Sequence, residues 1–573
     1  MLRHKVSSVI RTTTTRSLFG STSKLIQSSR QFTKPASLQH VRSKCKHSNS
    51  WLLLGVSATA LAAAITVSTL STSSIIQSDS LPELTPEEVS KHNTKESLWV
   101  VINGNVYDLT TFLTKHPGGQ KVLLKFAGKD ATKIFTPIHP PDALDKFIAP
   151  ECHLGPLIGE FAQVEEEITP EELERLDKIE RKPHISQVLN VHDFETIARE
   201  ILPPKALAYY SSAADDEVSL RENHNAYHRI FFNPRILVDV SEVDISTSML
   251  GQDTSAPFYI SATALAKLGH EDGEISIARG AGKENITQMI STLASCSFDD
   301  IVAGNVINGE QKSQWYQLYV NSDRALTETQ VKHAEAKGMK GLFITVDAPS
   351  LGRRERDMKM TFDADVGVEL DEDNDTTQGA SKALSSFIDP SFSWADLKHI
   401  QSLTTLPIVI KGVQCKEDVI KAAEYGVQGV VLSNHGGRQL DFSRAPVEVL
   451  AEVMPVLKEK KLDDKIEVYV DGGIRRGTDI IKALCLGAKG VGLGRVFLYA
   501  NSAYGEQGVR RACQLLKDEV AMNMRLLGVT KIEDLNESYL DTRSIMNRNV
   551  SVATDTLYSQ NYPPMEQIEF REE

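Results

Sequence analysis

Cysteine is scarce: 6 in 573 residues, with no CxxC pair or other metal-ligand spacing. That excludes a zinc ribbon and a disulfide framework, and Cys152, Cys296, Cys415, Cys485 and Cys513 read as free, structural thiols. Acidic residues are missing from residues 1–50, which carry ten Lys or Arg, and residues 51–80 add only Asp79. The remaining chain holds 53 basic against 75 acidic residues. Such an acidic body excludes a nucleic-acid partner and favours basic protein partners. Long apolar runs are missing too, with one exception at residues 51–70, where twenty uncharged, mostly apolar residues follow one another. Apolar content of 41% and charged content of 24% are those of an ordinary globular protein.

The acid-free, Arg-, Ser- and Thr-rich start, with Cys45 inside it, has the composition of a mitochondrial transit peptide. The apolar stretch after it is long enough to span a bilayer. Together, residues 1–80 read as a bipartite sorting signal. Cleavage after the apolar stretch frees a soluble protein into the mitochondrial intermembrane space, with no permanent membrane anchor. A retained anchor is the alternative, and in both readings the body faces the intermembrane space.

Residues 81–160 read as a small α+β domain. Thr85-Pro86-Glu87-Glu88 is a helix start with a capping box. A strand over 98–102, an Asn103-Gly104 turn and a return strand over 106–109 predict a hairpin. His116-Pro117-Gly118-Gly119 then ends a helix. Val122, Leu123, Leu124, Phe126, Ile134, Phe135 and Ile138 supply apolar faces before a second histidine, His139. Leu144, Phe147 and Ile148 form a further wall. Two histidines facing each other across an apolar pocket can hold haem iron from both sides, which suits electron transfer and leaves no position for oxygen. The absence of CxxCH makes that haem b non-covalent. This segment resembles cytochrome b5, whose two iron ligands match His116 and His139. Residues 161–190, with their runs of glutamate, read as an acidic linker or hinge, partly helical.

From 191 to 550 short β-branched runs alternate with helical patterns. Strands are expected at 257–262, 286–292, 315–320, 341–347, 407–413, 429–434, 467–471 and 490–494. Eight parallel strands with crossover helices give a (β/α)8 TIM barrel. Polar residues recur at the ends of these runs: Thr263, Ser291, Gln317, Tyr319, Thr345, Asp347, Lys411, His435, Asp471 and Arg495. In such a barrel these ends converge on one face. Glycine-arginine turns follow strands seven (Asp471, Gly472, Gly473, Ile474, Arg475) and eight (Gly494, Arg495), where barrels commonly hold a phosphate.

His435 stands three residues before Arg438. An imidazole accepts a proton near neutral pH, and a guanidinium grips a carboxylate through paired hydrogen bonds. Oxidation beside a carboxylate needs both. Across some 350 residues the barrel resembles the FMN-dependent α-hydroxy-acid oxidases and dehydrogenases. The matching pieces are residues 209–213, 261–265, 317–319, 345–347, 351–354 and 411–412, with the His435 and Asp471 motifs. With the haem domain in front, the match narrows to the flavocytochromes of that family, which oxidise L-lactate and reduce cytochrome c.

The resemblance implies a role for each matching residue. Arg354 and Arg438 pair with the substrate carboxylate, helped by Tyr209. Tyr319 faces the substrate hydroxyl. His435 removes a proton and Asp347 stabilises the imidazolium. For FMN, Ser261, Ala262, Thr263 and Ala264 lie along one face of the ring, and Ser291, Gln317 and Thr345 hydrogen-bond its edge. Lys411 stands near N1 and the C2 carbonyl. Residues 471–475 with Gly494 and Arg495 hold the phosphate. Ala264 and Leu293 bound a small substrate pocket, which favours lactate and admits longer 2-hydroxy acids. A homotetramer is also implied, with the tail 551–573 reaching between subunits.

Thr361 and Phe147 depart from the residues usual in the flavocytochromes, which touches haem docking. Residues 362–384 are expected to form a long mobile loop, open to proteases. Two other readings stay open: an oxidase that passes electrons to oxygen, and a non-catalytic electron carrier. Whether hydrogen leaves as proton or hydride also stays open.

Overall fold

The computed structural model describes residues 84–116, 120–161, 169–360 and 387–548. The presequence, Pro117 to Gly119 of the first histidine motif, Thr361, the expected loop at 362–384 and the tail at 551–573 lie outside them. No helix among the described residues is long and apolar enough to cross a membrane.

In the first domain, β1 (Trp99–Ile102), β2 (Asn105–Asp108) and β3 (His153–Pro156) form an antiparallel sheet in that order. Asn103 and Gly104 join β1 to β2 with φ of 51° and 74°, the left-handed pair that a tight hairpin requires. Thr85 caps the helix Pro86–Val89, which runs for only 4 residues, by accepting from the Glu88 amide at 3.3 Å; the Glu88 carboxylate pairs with Lys91 at 2.6 Å, so only the Thr85 half of the expected capping box forms. Leu98, Val100, Ile102, Leu109, Leu113 and Ala127 make the buried core. Leu123, Leu124, Phe135, Leu144 and Ile148 pack against it from the helical side.

The expected linker contains the helix Pro170–Glu180, begun by Thr169 and Pro170. It lies against the helix Val191–Ile201: Arg175 donates to the Ile201 carbonyl at 2.7 Å, and Lys178 pairs with Glu200 at 2.9 Å. Residues 170–180 are thus a docked, charged helix.

The barrel strands are β4 (Phe258–Ile260), β5 (Gln288–Ser291), β6 (Gln314–Leu318), β7 (Leu342–Thr345), β8 (Ile408–Val413), β9 (Gly429–Leu432), β10 (Glu467–Asp471) and β11 (Gly490–Leu493). Each pairs in parallel with the next, and β11 closes on β4 through Val491 opposite Phe258 and Leu493 opposite Ile260. All eight expected strands are present; one matches outright, β6 begins one residue earlier and ends two sooner, and the others are shorter at one or both ends. The barrel is filled by Tyr259, Met289, Trp315, Phe343, Val409, Val431 and Tyr469, all at most 2% exposed. These large side chains close the interior below the mouth, so chemistry is confined to the strand ends.

Candidate active site

Strand ends bring the predicted residues together. Ser291 closes β5, Gln317 lies near the end of β6 and Thr345 closes β7. Ser291 Oγ donates to Gln317 Oε1 at 3.3 Å, and Gln317 Nε2 donates to Thr345 Oγ1 at 2.9 Å. Lys411 on β8 donates to Ser433 Oγ at 3.2 Å and stands 3.4 Å from Asp471 at the end of β10. Burial alone would push the Lys411 ammonium down, but the Asp471 and Asp347 carboxylates outweigh it and hold its pKa above the ordinary value. A buried, charged lysine therefore stands among these strand ends.

The residues expected to react lie beside it. His435 Nδ1 is 2.9 Å from Asp347 Oδ1, with the Asp347 side chain 2% exposed. Burial raises the Asp347 pKa, yet the His435 and Lys411 charges and the His435 hydrogen bond overcome it, leaving the carboxyl below its usual range. Nδ1–H on Asp347 leaves the lone pair on Nε2, which is 3.4 Å from the Tyr319 hydroxyl. Burial, then Asp347, drives the Tyr319 phenol well up, so it is a hydrogen-bond donor at neutral pH. His435 itself is held at φ 58°, a conformation uncommon for a residue with a side chain and one that clusters at functional sites. A Cβ at Gly412 (φ 109°) would stand 2.6 Å from Asp347 Cβ, so glycine there lets the carboxylate come down onto β8.

Two guanidiniums complete the set. Arg354 and Arg438 lie 5.1 and 4.9 Å from the centre of the Tyr209 ring, and Arg438 donates to the Tyr209 carbonyl at 2.7 Å. Arg354 is 5% exposed and 3.5 Å from Asp357, whose carboxyl is raised by burial against the pull of Arg354. That pairing is too long to be a hydrogen bond. A small carboxylate can bind both guanidiniums with Tyr209 as the common backing.

The residues fit a bound flavin. Ser261 Oγ and Asp471 Oδ1 are buried with no hydrogen-bond partner in the protein, so each has capacity for a polar group at the mouth. Ala262, Thr263 and Ala264 are half-buried beside Ser261. Gly472 and Gly473 (φ 97° and 81°) turn the backbone after β10, and a Cβ at Gly473 would meet the Asn223 carbonyl oxygen at 2.0 Å. The helix Arg495–Leu527 begins at Gly494, and its N-terminus favours an anion.

Arg475 and Arg495 have other partners than a phosphate in this structure. The Arg475 amide donates to Asp479 at 3.0 Å, and its guanidinium is 3.4 Å from Glu195. Burial pushes the Arg495 guanidinium down to about 10. It donates at 2.9 Å each to the carbonyls of Tyr210, Gly436 and Ser212. Ile474 is 2% exposed and packs in the core.

Sequence reasoning passed over several supports. Ser433 Oγ accepts from both Lys411 and the His435 amide, at 3.2 and 3.0 Å. Gln439 donates to the Asp347 and Ser350 carbonyls, at 2.8 Å each, and accepts from the Gly352 amide at 3.1 Å. It thereby ties the Arg354 loop to the His435 loop. Asn434 and Asn223 exchange amide hydrogen bonds of 2.7 and 2.8 Å. Asp441 caps the helix Val218–His228 from a distant loop, through the Val218 and Ser219 amides. Polar residues in the run 433–441 were the one available signal.

In the first domain the rings of His116 and His139 are 6.2 Å apart. Two metal–nitrogen bonds of about 2 Å, with about 1 Å from each nitrogen to its ring centre, sum to about 6 Å. The pair therefore fits an iron between them. His139 Nδ1 donates to the Phe135 carbonyl at 3.2 Å, which leaves Nε2 as the ligand atom. Burial pushes the His139 pKa down to about 4, keeping the ring neutral as a ligand has to be. Val122, Ile134, Ile138 and Phe147 are exposed, an apolar surface suited to a macrocycle.

Comparison with known proteins bears on both domains. A family model described as FMN-dependent dehydrogenase matches residues 198–542, and one described as cytochrome b5-like heme/steroid binding domain matches residues 85–158. The L-lactate dehydrogenase (cytochrome) of Wickerhamomyces anomalus is 65% identical over 571 residues, covering 98% of this chain and 99% of that one. The protein of the same name from Saccharomyces cerevisiae is 53% identical over 563 residues, covering 94% of each. A solved double mutant of flavocytochrome b2 with pyruvate bound is 56% identical, with a TM-score of 0.63, covering 71% of this chain and 100% of that one. The chain belongs to the FMN-dependent dehydrogenase family, in a form that carries a cytochrome b5-like domain ahead of the catalytic barrel.

Proposed function

We propose that this protein oxidises L-lactate to pyruvate at the barrel mouth and delivers the electrons to cytochrome c. Bound FMN supplies the two-electron acceptor that no side chain can provide, and bound haem b supplies the single-electron relay. Ser261, Ser291, Gln317, Thr345 and Lys411 would hold the flavin ring, and the turns at 471–475 and 494–495 its phosphate. His116 and His139 would hold the iron.

The protein's own groups do the rest. Arg354 and Arg438 clamp the lactate carboxylate against Tyr209 and so orient the substrate carbon. Tyr319 donates to the substrate oxygen. His435 Nε2 takes the proton, whether from carbon or from hydroxyl, while Nδ1–H stays on Asp347. Asp347 then faces an imidazolium at hydrogen-bond distance, which lowers the barrier to its formation.

One observation carries the reading: the His435–Asp347 pair and the two arginines backed by Tyr209 share one barrel mouth. The names of the similar full-length proteins support the substrate and the acceptor. Anaerobic stopped-flow with L-lactate tests it. Flavin bleaching followed by haem reduction is expected, and haem that stays oxidised refutes the relay. The acid-free start and the apolar run at 51–70 support action in the mitochondrial intermembrane space, checked by fractionating organelles after import. A homotetramer is part of the proposal and is read by light scattering.

A further inference from the structure

We propose that Glu274 is a positioning residue that fixes the reach of the substrate pocket, and with it the chain length of the 2-hydroxy acid accepted. The inference rests on the functional reading above and deepens it.

Glu274 lies in the first turn of the helix Gly273–Lys283 and is 3% exposed. Its two oxygens accept four hydrogen bonds. Oε1 accepts from the amides of Ala266 (2.9 Å) and Ser295 (3.0 Å), and Oε2 from the Ser295 hydroxyl (2.8 Å) and the Cys296 amide (3.1 Å). The Ala266 amide belongs to the loop after β4, and the other three donors belong to the loop after β5. Ser295 Oγ also accepts from the Lys267 amide at 3.0 Å, a direct stitch between the two loops.

On the functional reading above, those loops carry the pocket walls, Ala264 and Leu293. The first runs from Ser261 through Ala264 to Leu265, which stands at φ 59° and whose carbonyl accepts from the Tyr210 hydroxyl at 2.7 Å. The second holds Leu293, which packs on the cluster of Tyr319, Ala348 and Ile388. An unfavourable backbone at Leu265 persists only where surrounding contacts hold it. The Tyr210 hydroxyl on the Leu265 carbonyl and the Glu274 carboxylate on the next amide, Ala266, hold it together. Four donors on two oxygens need a group that only accepts, which a carboxylate is and an amide is not. The hydrogen bonds of the Glu274 carboxylate all go to these two loops and none to His435 or Asp347. Its loss should therefore change which substrates fit more than how fast a proton moves.

The test uses full-length holoenzyme and an artificial one-electron acceptor. Steady-state kinetics on L-lactate and on a straight-chain L-2-hydroxy acid longer by three carbons give a selectivity ratio. Flavin content is read from the visible spectrum. Glu274→Gln replaces one acceptor oxygen with a donor, and Ser295→Ala removes the hydroxyl that bridges the loops. The ratio of kcat/KM, lactate over the longer acid, is expected to fall at least about threefold in both, mainly through KM. If Glu274→Gln does not retain flavin, Ser295→Ala decides. A wild-type ratio in a flavin-loaded variant overturns the proposal. Wild-type enzyme that oxidises neither acid overturns the functional reading instead.

Discussion

Asp347→Asn is the most exacting perturbation of this site, because it keeps the shape and removes one charge. In the structure the carboxylate is 2.9 Å from His435 Nδ1 and almost wholly buried, while His435 is 23% exposed. When the imidazole becomes cationic in the transition state, its charge centre lies about 4 Å from the carboxylate, worth about 4 kcal/mol at an effective dielectric of about 20. The asparagine oxygen can still accept from Nδ1–H, which restores about 1 kcal/mol. The net loss of about 3 kcal/mol corresponds to a fall in kcat of about a hundredfold. KM should change little, because Arg354 and Arg438 are untouched. The assay is steady-state lactate oxidation with ferricyanide, on protein with its full complement of flavin. Lactate deuterated at C2 should give an isotope effect at least as large as in wild type, because the slowed step is the one that breaks the C–H bond. A kcat within about threefold of wild type, or a loss confined to KM, would refute the charge argument.

The same carboxylate has a folded pKa below its ordinary 3.8, so its contribution to stability is present above that value and is lost as pH falls below it. Denaturant unfolding of wild type against Asp347→Asn from about pH 4 downward should show a shallower acid decline in the variant; parallel curves would contradict this. Arg354→Ala removes one charged arm of the clamp, and KM for lactate should rise by tens-fold, matching about 2 kcal/mol; an unchanged KM would place the carboxylate elsewhere. His139→Ala should abolish the haem absorption band and cytochrome c reduction while lactate oxidation with ferricyanide persists, and a retained band would rule His139 out as a ligand. Gly473→Ala pushes a methyl group to 2.0 Å from the Asn223 carbonyl oxygen, so flavin affinity should collapse in fluorescence titration; normal affinity would show that this turn yields easily.

Much of the barrel was legible because its strands are short β-branched runs with a polar residue at the same end of each. That registration reports a fold-level property, a shared mouth, through local composition. His435 and Arg438 were legible for a similar reason, lying within one run. Supports made by residues far apart leave no such trace. Gln439 bridges Asp347 and Ser350 across about ninety residues, as its 92 and 89 separations show. Asn223 reaches Asn434 over 211 positions. Arg495 is legible in part: glycine-arginine spacing points to a phosphate, while the three carbonyls that also hold its guanidinium are announced by no periodicity. The helix Pro170–Glu180 reads as a linker because its glutamates dominate the pattern, while its docking depends on single contacts by Arg175 and Lys178.

Those three carbonyls carry a lesson about biosynthesis. Arg495 reaches back 285 positions to Tyr210 and 283 to Ser212, and its strand β11 is the one that seals against β4. A ribosome delivers β11 after the other seven strands have emerged, so the nascent chain waits with an open rim until its last quarter is made. Long-range closure of this kind slows maturation and lengthens exposure to chaperones. Truncations that end before Arg495 should consequently leave a protease-sensitive barrel segment without bound flavin, while the first domain keeps its own core and its haem.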